Sequence, residues 1–257
     1  MPAVVALRPG ADARQAIRRT LPVTGPWSLI SSRTVRQLEQ LLLTRLVDAV
    51  VFSPTATTLA ESAPLRARFP DIPWMAFAPF RPDDGQVLAD CQAHDVALIL
   101  VDGVDNTVAG ELIVRHSAAA VRRQAMQEAV RVLRLTDVVQ RRVWAYLLDR
   151  TDLPVRTVAL AREVGCSREH LSRQFGAGGA PNLKRVIDLT RIACAAGLLR
   201  NPGYDLVTVA RILRFATASH LNVTARRIAG VPGHGLSGLG PRGVLASFIR
   251  GNTRSRV

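Results

Sequence analysis

The chain has 257 residues, enough for two domains with substantial cores, and its 48% apolar content excludes a disordered chain. No apolar run approaches the ~20 residues of a membrane span, and the start, MPAVVALRPG, lacks the basic-then-apolar order of a secretory signal. The net charge of +14 is segregated: residues 1–115 hold 11 Lys or Arg against 12 Asp or Glu, and residues 116–257 hold 23 against 8. A neutral half followed by a half of net +15 points to a polyanion partner for the second half. A GC-rich coding sequence accounts for Arg over Lys, since Lys184 is the only lysine, but not for the segregation. Cys91, Cys166 and Cys194 are far apart and odd in number, which reads as reduced thiols in a cytoplasm. Neither they nor His94, His116 and His234 have metal-ligand spacing.

Over residues 1–105, short apolar runs alternate with amphipathic stretches. The runs are VVAL (4–7), WSLI (27–30), AVVF (49–52), WMAF (74–77) and ALILV (97–101), recurring every 22 to 25 residues. Between them lie Ala11 to Arg19, Thr34 to Leu46, Thr57 to Phe69 and Asp83 to His94. Continuous apolar runs suit strands buried on both faces, and strand–helix alternation implies a parallel sheet covered on both sides. The expectation is a five-stranded, doubly wound α/β domain of flavodoxin-like type. In outline this is similar to the receiver domain of two-component response regulators. That resemblance implies an acidic pair after strand 1, an Asp at the end of strand 3, a hydroxyl residue after strand 4 and a Lys after strand 5. Here Arg8-Pro9 follows strand 1, Ser53 stands at the acceptor position, Ala78 follows strand 4, and residues 1–115 contain no Lys. Without an acidic pair no metal offsets phosphate charge. The expectation is a degenerate receiver-like domain, 1–115, used for homodimerisation or regulation without phosphorylation. Loops near Pro9, Ser53 and Pro79 mark where a small-molecule effector would sit. Within residues 1–115 no GxGxxG or GxxxxGK[ST] indicates a nucleotide.

Residues 106–135 read as helix, with 116–135 a linker. Val121, Ala125, Glu128, Val132 and Leu135 keep a 3–4 spacing, and Arg122, Arg123, Arg131 and Arg134 form a basic face. Thr136 is placed to cap a helix Asp137 to Asp149, with Val139, Val143, Tyr146 and Leu147 inward.

From Val155 the chain reads as two helix-turn-helix units held apart by one helix. Val155, Val158, Ala159 and Val164 recur at helical spacing, Gly165 breaks the helix, and Ser167 is an N-cap for Arg168 to Phe175. The second helix then presents Arg168, Glu169, Ser172 and Arg173, a set that suits the major groove of DNA. The joining helix starts near Pro181, carries Leu183, Val186, Ile187, Leu189, Ile192, Ala195 and Leu199, and ends at Asn201-Pro202-Gly203. Ala210, a turn, and a helix Ala218 to Ile228 form the second unit, whose core Leu221 comes one residue later than Leu171 does.

These residues resemble the AraC/XylS family of transcription regulators over about 80 to 100 residues. The match is carried by Leu160, Ala161, Gly165, Ser167, Leu171, Arg173 and Phe175 in the first unit. Arg191, Ile192, Ala195, Leu198 and Leu199 follow in the joining helix, then Val209, Ala210, Phe215, Ser219 and Gly230. The family usually has Gly at the positions of Ala180 and Arg214, aromatics at Leu221 and Ala225, and a basic residue at Val223. Its closing G-x-S-P is reduced here to Gly230-Val231-Pro232. The resemblance implies double-stranded DNA as partner, with the first unit carrying more of the specificity.

The candidate base readers are Arg168, Glu169, Ser172 and Arg173, then Ser219, His220 and Asn222; Lys184, Arg226 and Arg227 suit phosphate contacts. Residues 136–232 form the expected DNA-binding domain. Residues 233–257, rich in Gly and Arg, read as a flexible basic tail. Together these features describe a cytoplasmic DNA-binding transcription regulator, nucleoid-associated when bound to DNA, with no enzymatic residue set, cofactor, metal or membrane partner. Two other readings stay open: a small-molecule or redox sensor using the α/β domain, and a nonspecific architectural DNA binder.

Overall fold

The computed structural model describes residues 2–22 and 27–254. The chain divides into two compact units, residues 1–121 with 201–203, and residues 122–200 with 204–257.

The first unit is a five-stranded, all-parallel sheet in the order β2-β1-β3-β4-β5. Its strands are β1 (Ala3–Leu7), β2 (Ser28–Ser32), β3 (Val47–Phe52), β4 (Trp74–Ala78) and β5 (Leu98–Val101). Every residue of β1 and β3 is buried, as continuous apolar runs require. The edge strand β2 begins one residue later and runs two further than the apolar run suggests, and it is only half-buried. Helices α1 (Ala11–Thr20), α2 (Val35–Thr44), α3 (Ala56–Arg68) and α4 (Gly85–Ala93) connect the strands. Thr34 and Thr55 cap α2 and α3 by accepting from Gln37 N and Thr58 N. Val4, Ile17, Met75, Phe77, Leu100 and Ile113 belong to one apolar cluster of this unit.

A fifth helix, α5 (Ala109–Arg115), packs against α1. Gly110 makes this possible. A Cβ there would lie 2.4 Å from the backbone of Thr20 and Leu21, and Gly110 N donates to Thr20 Oγ1 at 2.7 Å. The expected helix over 106–135 is therefore not continuous. It is broken into α5, α6 (Ala118–Ala125) and α7 (Ala129–Val132). Ser117 Oγ, which donates to Val114 O and accepts from Ala120 N, marks the first break. Val121, placed inward by its spacing, is 63% exposed; Leu135, of the same set, is buried, and Met126, Ala129 and Leu133 are buried with it. The basic face is also partly used up. Arg123 pairs with Asp149 at 2.8 Å and Arg131 with Glu128 at 3.5 Å.

The second unit is helical. Helix α8 (Val138–Asp149) is capped by Asp137, not Thr136, through a reciprocal capping box with Gln140. Gln140, Val143, Trp144 and Leu147 are its buried residues, while Val139 and Tyr146 are half-buried. Then come α9 (Thr157–Val164), α10 (Arg168–Gln174), α11 (Leu183–Leu198), α12 (Leu206–Ile212), α13 (Ala218–Ala229) and α14 (Leu236–Arg254). Helix α11 is buried almost all round, including Asp188, Thr190 and Arg191, as befits the central helix of a helical domain.

The expected flexible tail is a correction. From Leu236 the chain is helical and packs along α11 and α13. Leu236, Val244, Leu245 and Phe248 are buried, and the Arg185 guanidinium lies 4.9 Å over the Phe248 ring. The helical signal is interrupted at Gly240, whose φ of 58° and the following Pro241 put a kink inside the segment. No helix among the described residues is long and apolar enough to cross a membrane.

Candidate nucleic-acid interface

The helix pairs α9–α10 and α12–α13 are built by the same local chemistry. In the first, Gly165 closes α9 at φ 72°, and Cys166 N donates back to Ala161 O at 3.0 Å. Ser167 then caps α10, its Oγ accepting from His170 N at 3.1 Å. In the second pair, Arg214 takes the left-handed position at φ 52°, and Phe215 N donates to Ala210 O at 2.8 Å. Thr217 caps α13 by accepting from His220 N at 3.0 Å. The return bond spans five residues in both, and the buried leucine follows its cap by four in both: Ser167 to Leu171, Thr217 to Leu221. The extra residue of the second pair falls between the left-handed position and the cap.

Burial places the inward faces. Leu160, Ala161, Val164 and Leu171 are buried in the first pair, and Val209, Ala210, Ile212 and Leu221 in the second. Two residues assigned to the apolar periodicity of α9 face outward instead: Val158 is 48% exposed, and Ala159 is exposed too. Of the four residues read from spacing only Val164 is buried, beside Leu160 and Ala161.

Arg168, Glu169, Ser172 and Arg173 are all exposed on α10. On α13, Ser219, His220 and Arg226 are exposed, and the His220 ring stands edge-on to Phe215 at 5.6 Å. Lys184 is exposed in the first turn of α11. Two residues singled out in the sequence have internal partners. Asn222 is half-buried, and its Oδ1 accepts from Gly233 N at 2.7 Å, fixing the turn after α13. The Arg227 guanidinium donates to Asp188 of α11 at 2.7 Å.

That ion pair belongs to a buried polar group that sequence reading missed. Arg191 donates to Leu213 O at 2.7 Å and lies 3.8 Å over the Phe215 ring, tying α11 to the turn of the second pair. Burial pushes the Asp188 carboxyl above its ordinary range, against the pull of Arg227, Arg191, Lys184 and His220. Burial likewise lowers Arg191, which Asp188 offsets in part. In the first pair the tie is different: Gln140 Nε2 of α8 donates to Gln174 O at the end of α10, at 2.7 Å. The only sequence signal for these ties was the presence of polar residues, Asp188 and Arg191, inside an apolar helix.

At the C-terminal strand ends of the first unit, Arg8 pairs with Glu61 at 2.8 Å and donates through Nε to Arg33 O at 3.2 Å. Asp48, within β3, is buried. An open groove of about 690 Å³ lies beside the edge strand, lined by Ile30, Arg33, Arg36, Gln37 and Leu41 among others. It is not at the loops of Pro9, Ser53 and Pro79, where an effector was expected. Cys91 and Cys194 are buried and Cys166 is half-buried. Burial, with Asp90 adding to it, pushes the Cys91 thiol up despite the opposing charge of Arg66. Among the described residues no group of His, Cys, Asp and Glu is arranged to hold a metal. No family model, no curated protein and no solved structure matches this chain.

Proposed function

We propose that the chain is a sequence-specific DNA-binding transcription regulator of AraC/XylS type, cytoplasmic and associated with the nucleoid when bound to DNA. In this reading α9–α10 and α12–α13 are two helix-turn-helix units, and α10 and α13 are their recognition helices. The first unit of the chain is a flavodoxin-like, receiver-like domain that dimerises or regulates without phosphorylation.

The observation that carries the reading is the repetition. Two helix pairs share a left-handed closing residue, a five-residue return bond and a hydroxyl cap, and both present exposed Arg and Ser on the second helix. They sit in the half of the chain with net charge +15. A helix with such a free face fits the major groove, where Arg pairs with guanine and Ser with several bases. Arg168 and Arg173 are the base readers of α10, and Ser219 and His220 those of α13. Lys184 and Arg226 hold phosphates. Arg227 and Asn222 act mainly by holding α13 and the turn that follows it.

The test is selection of bound fragments from a genomic library at about 150 mM salt, followed by sequencing. A recurring motif with two elements about one helical turn apart supports the reading. Absence of any enriched sequence refutes it.

Small-molecule sensing by the first unit is the second reading, favoured by the groove at Arg33 and Arg36. It is compatible with DNA binding and would make that groove the effector site. Cys91 gives a redox reading little to stand on, because a buried thiol with a raised pKa is a poor nucleophile.

A further inference from the structure

Leu171 and Leu221 are the fully buried anchors of α10 and α13, each four residues past its cap. Two residues beyond each anchor the helix has turned by roughly 200°, so the side chain stands on the free face. These equivalent positions hold Arg173 and Val223. Val223 is 62% exposed. Ser219 lies one turn before it and Arg226 one turn after, both exposed, so an isopropyl group interrupts a polar stripe at i, i+4 and i+7.

The major groove displays one apolar group, the C5-methyl of thymine, and side chains such as Ala, Thr or Phe read it by contact. We propose that Val223 is a specificity-determining residue that reads a thymine methyl in the second element of the DNA site. In the same way Arg173 reads guanine in the first. The inference rests on the DNA-binding reading above. It deepens that reading by making the site chemically asymmetric: a guanine-bearing element under α10 and a thymine-bearing element under α13. It also gives a positive role to a position where resemblance alone suggested only a missing basic contact.

The probe is the DNA fragment selected by the full chain, resynthesised with deoxyuridine in place of each thymine in turn. Uracil pairs as thymine does and lacks only the methyl. Burial of one methyl group predicts a loss of about fourfold in affinity at a single thymine of the second element. Val223→Ala, at an exposed position, should weaken binding to the thymine site and reduce the response to uracil, because its single methyl reaches less far. Uracil that is neutral at every thymine, or an equal uracil penalty in the wild type and Val223→Ala, overturns this assignment and leaves DNA recognition intact. Failure of the chain to select any sequence overturns both.

Discussion

Replacing Arg214 with glycine should stabilise the second unit. Arg214 holds φ 52° at the turn between α12 and α13, where the equivalent residue of the first pair is Gly165 at φ 72°. A residue with a Cβ costs about 1–2 kcal/mol in the left-handed region, while glycine adds roughly 0.5–1 kcal/mol of unfolded-state entropy. Arg214 is exposed, so little packing is lost with its side chain. The net expectation is a gain of ~0.5–1 kcal/mol from the backbone terms, or about 2–4 °C in Tm for a unit of this size. Urea unfolding monitored by circular dichroism measures it. Arg214→Ala is the control, because it removes the side chain and keeps the strain, and it should stay within about 0.5 kcal/mol of the wild type. The mirror substitution, Gly165→Ala, meets nothing within 4 Å of its new Cβ, so its expected loss of ~0.5–1 kcal/mol is backbone strain less the unfolded-state entropy that the methyl removes. If Arg214→Gly is neutral or destabilising while Gly165→Ala costs its full amount, the two turns are not energetically equivalent and the reasoning fails.

Gly110→Ala should destabilise the first unit by about 2–3 kcal/mol in urea unfolding, because the new methyl meets the backbone of α1's end, which cannot give way as a side chain can; a neutral result would contradict the close α1–α5 approach. Asp205→Ala should cost ~1 kcal/mol as a lost cap of α12. The hydrogen bond from Thr208 N holds the Asp205 carboxyl below its ordinary 3.8, so this contribution is present above pH 3.8 and lost as pH falls through the lowered folded value. Asp188 has the opposite sign. Its folded pKa is raised above 3.8 by burial, so the stability difference between wild type and Asp188→Asn should decline as pH rises from 3.8 through the folded value; a difference that grows with pH would contradict its burial as the dominant cause. In DNA binding, Arg173→Ala should relax preference at one base pair, costing ~1–3 kcal/mol on the best site, whereas Arg226→Ala should weaken all sequences alike and reduce the salt slope by about one.

Much of the architecture was legible because its signals are local. Strands β1, β3, β4 and β5 announce themselves as apolar runs at regular spacing, and Ser167, Gly165 and Asn201-Pro202-Gly203 punctuate the helices they border. What escaped depends on partners distant in sequence. Gly238, Gly240 and Gly243 made residues 233–257 look like a tail, yet the apolar residues Val244, Leu245 and Phe248 find a surface on α11 that periodicity cannot display. The Asp188–Arg227 pair joins residues 39 apart, so neither partner reads as structural on its own. Asn222 looked like a reader because it lies among Ser219, His220 and Arg226, but its oxygen is engaged by Gly233 eleven residues on. Val223 went the other way: read as a lost cation, it is one of the more exposed large apolar side chains of the second unit.

The proposed regulator recognises a particular DNA sequence rather than phosphate charge. The most direct test is the ratio of Kd values for a selected fragment and a scrambled one of equal length, measured across 50–200 mM salt. Sequence recognition requires a ratio on the order of 10³ or more near physiological salt. A ratio of only a few-fold, with both affinities falling steeply and in parallel as salt rises, would contradict it and leave a chain that binds DNA through charge alone.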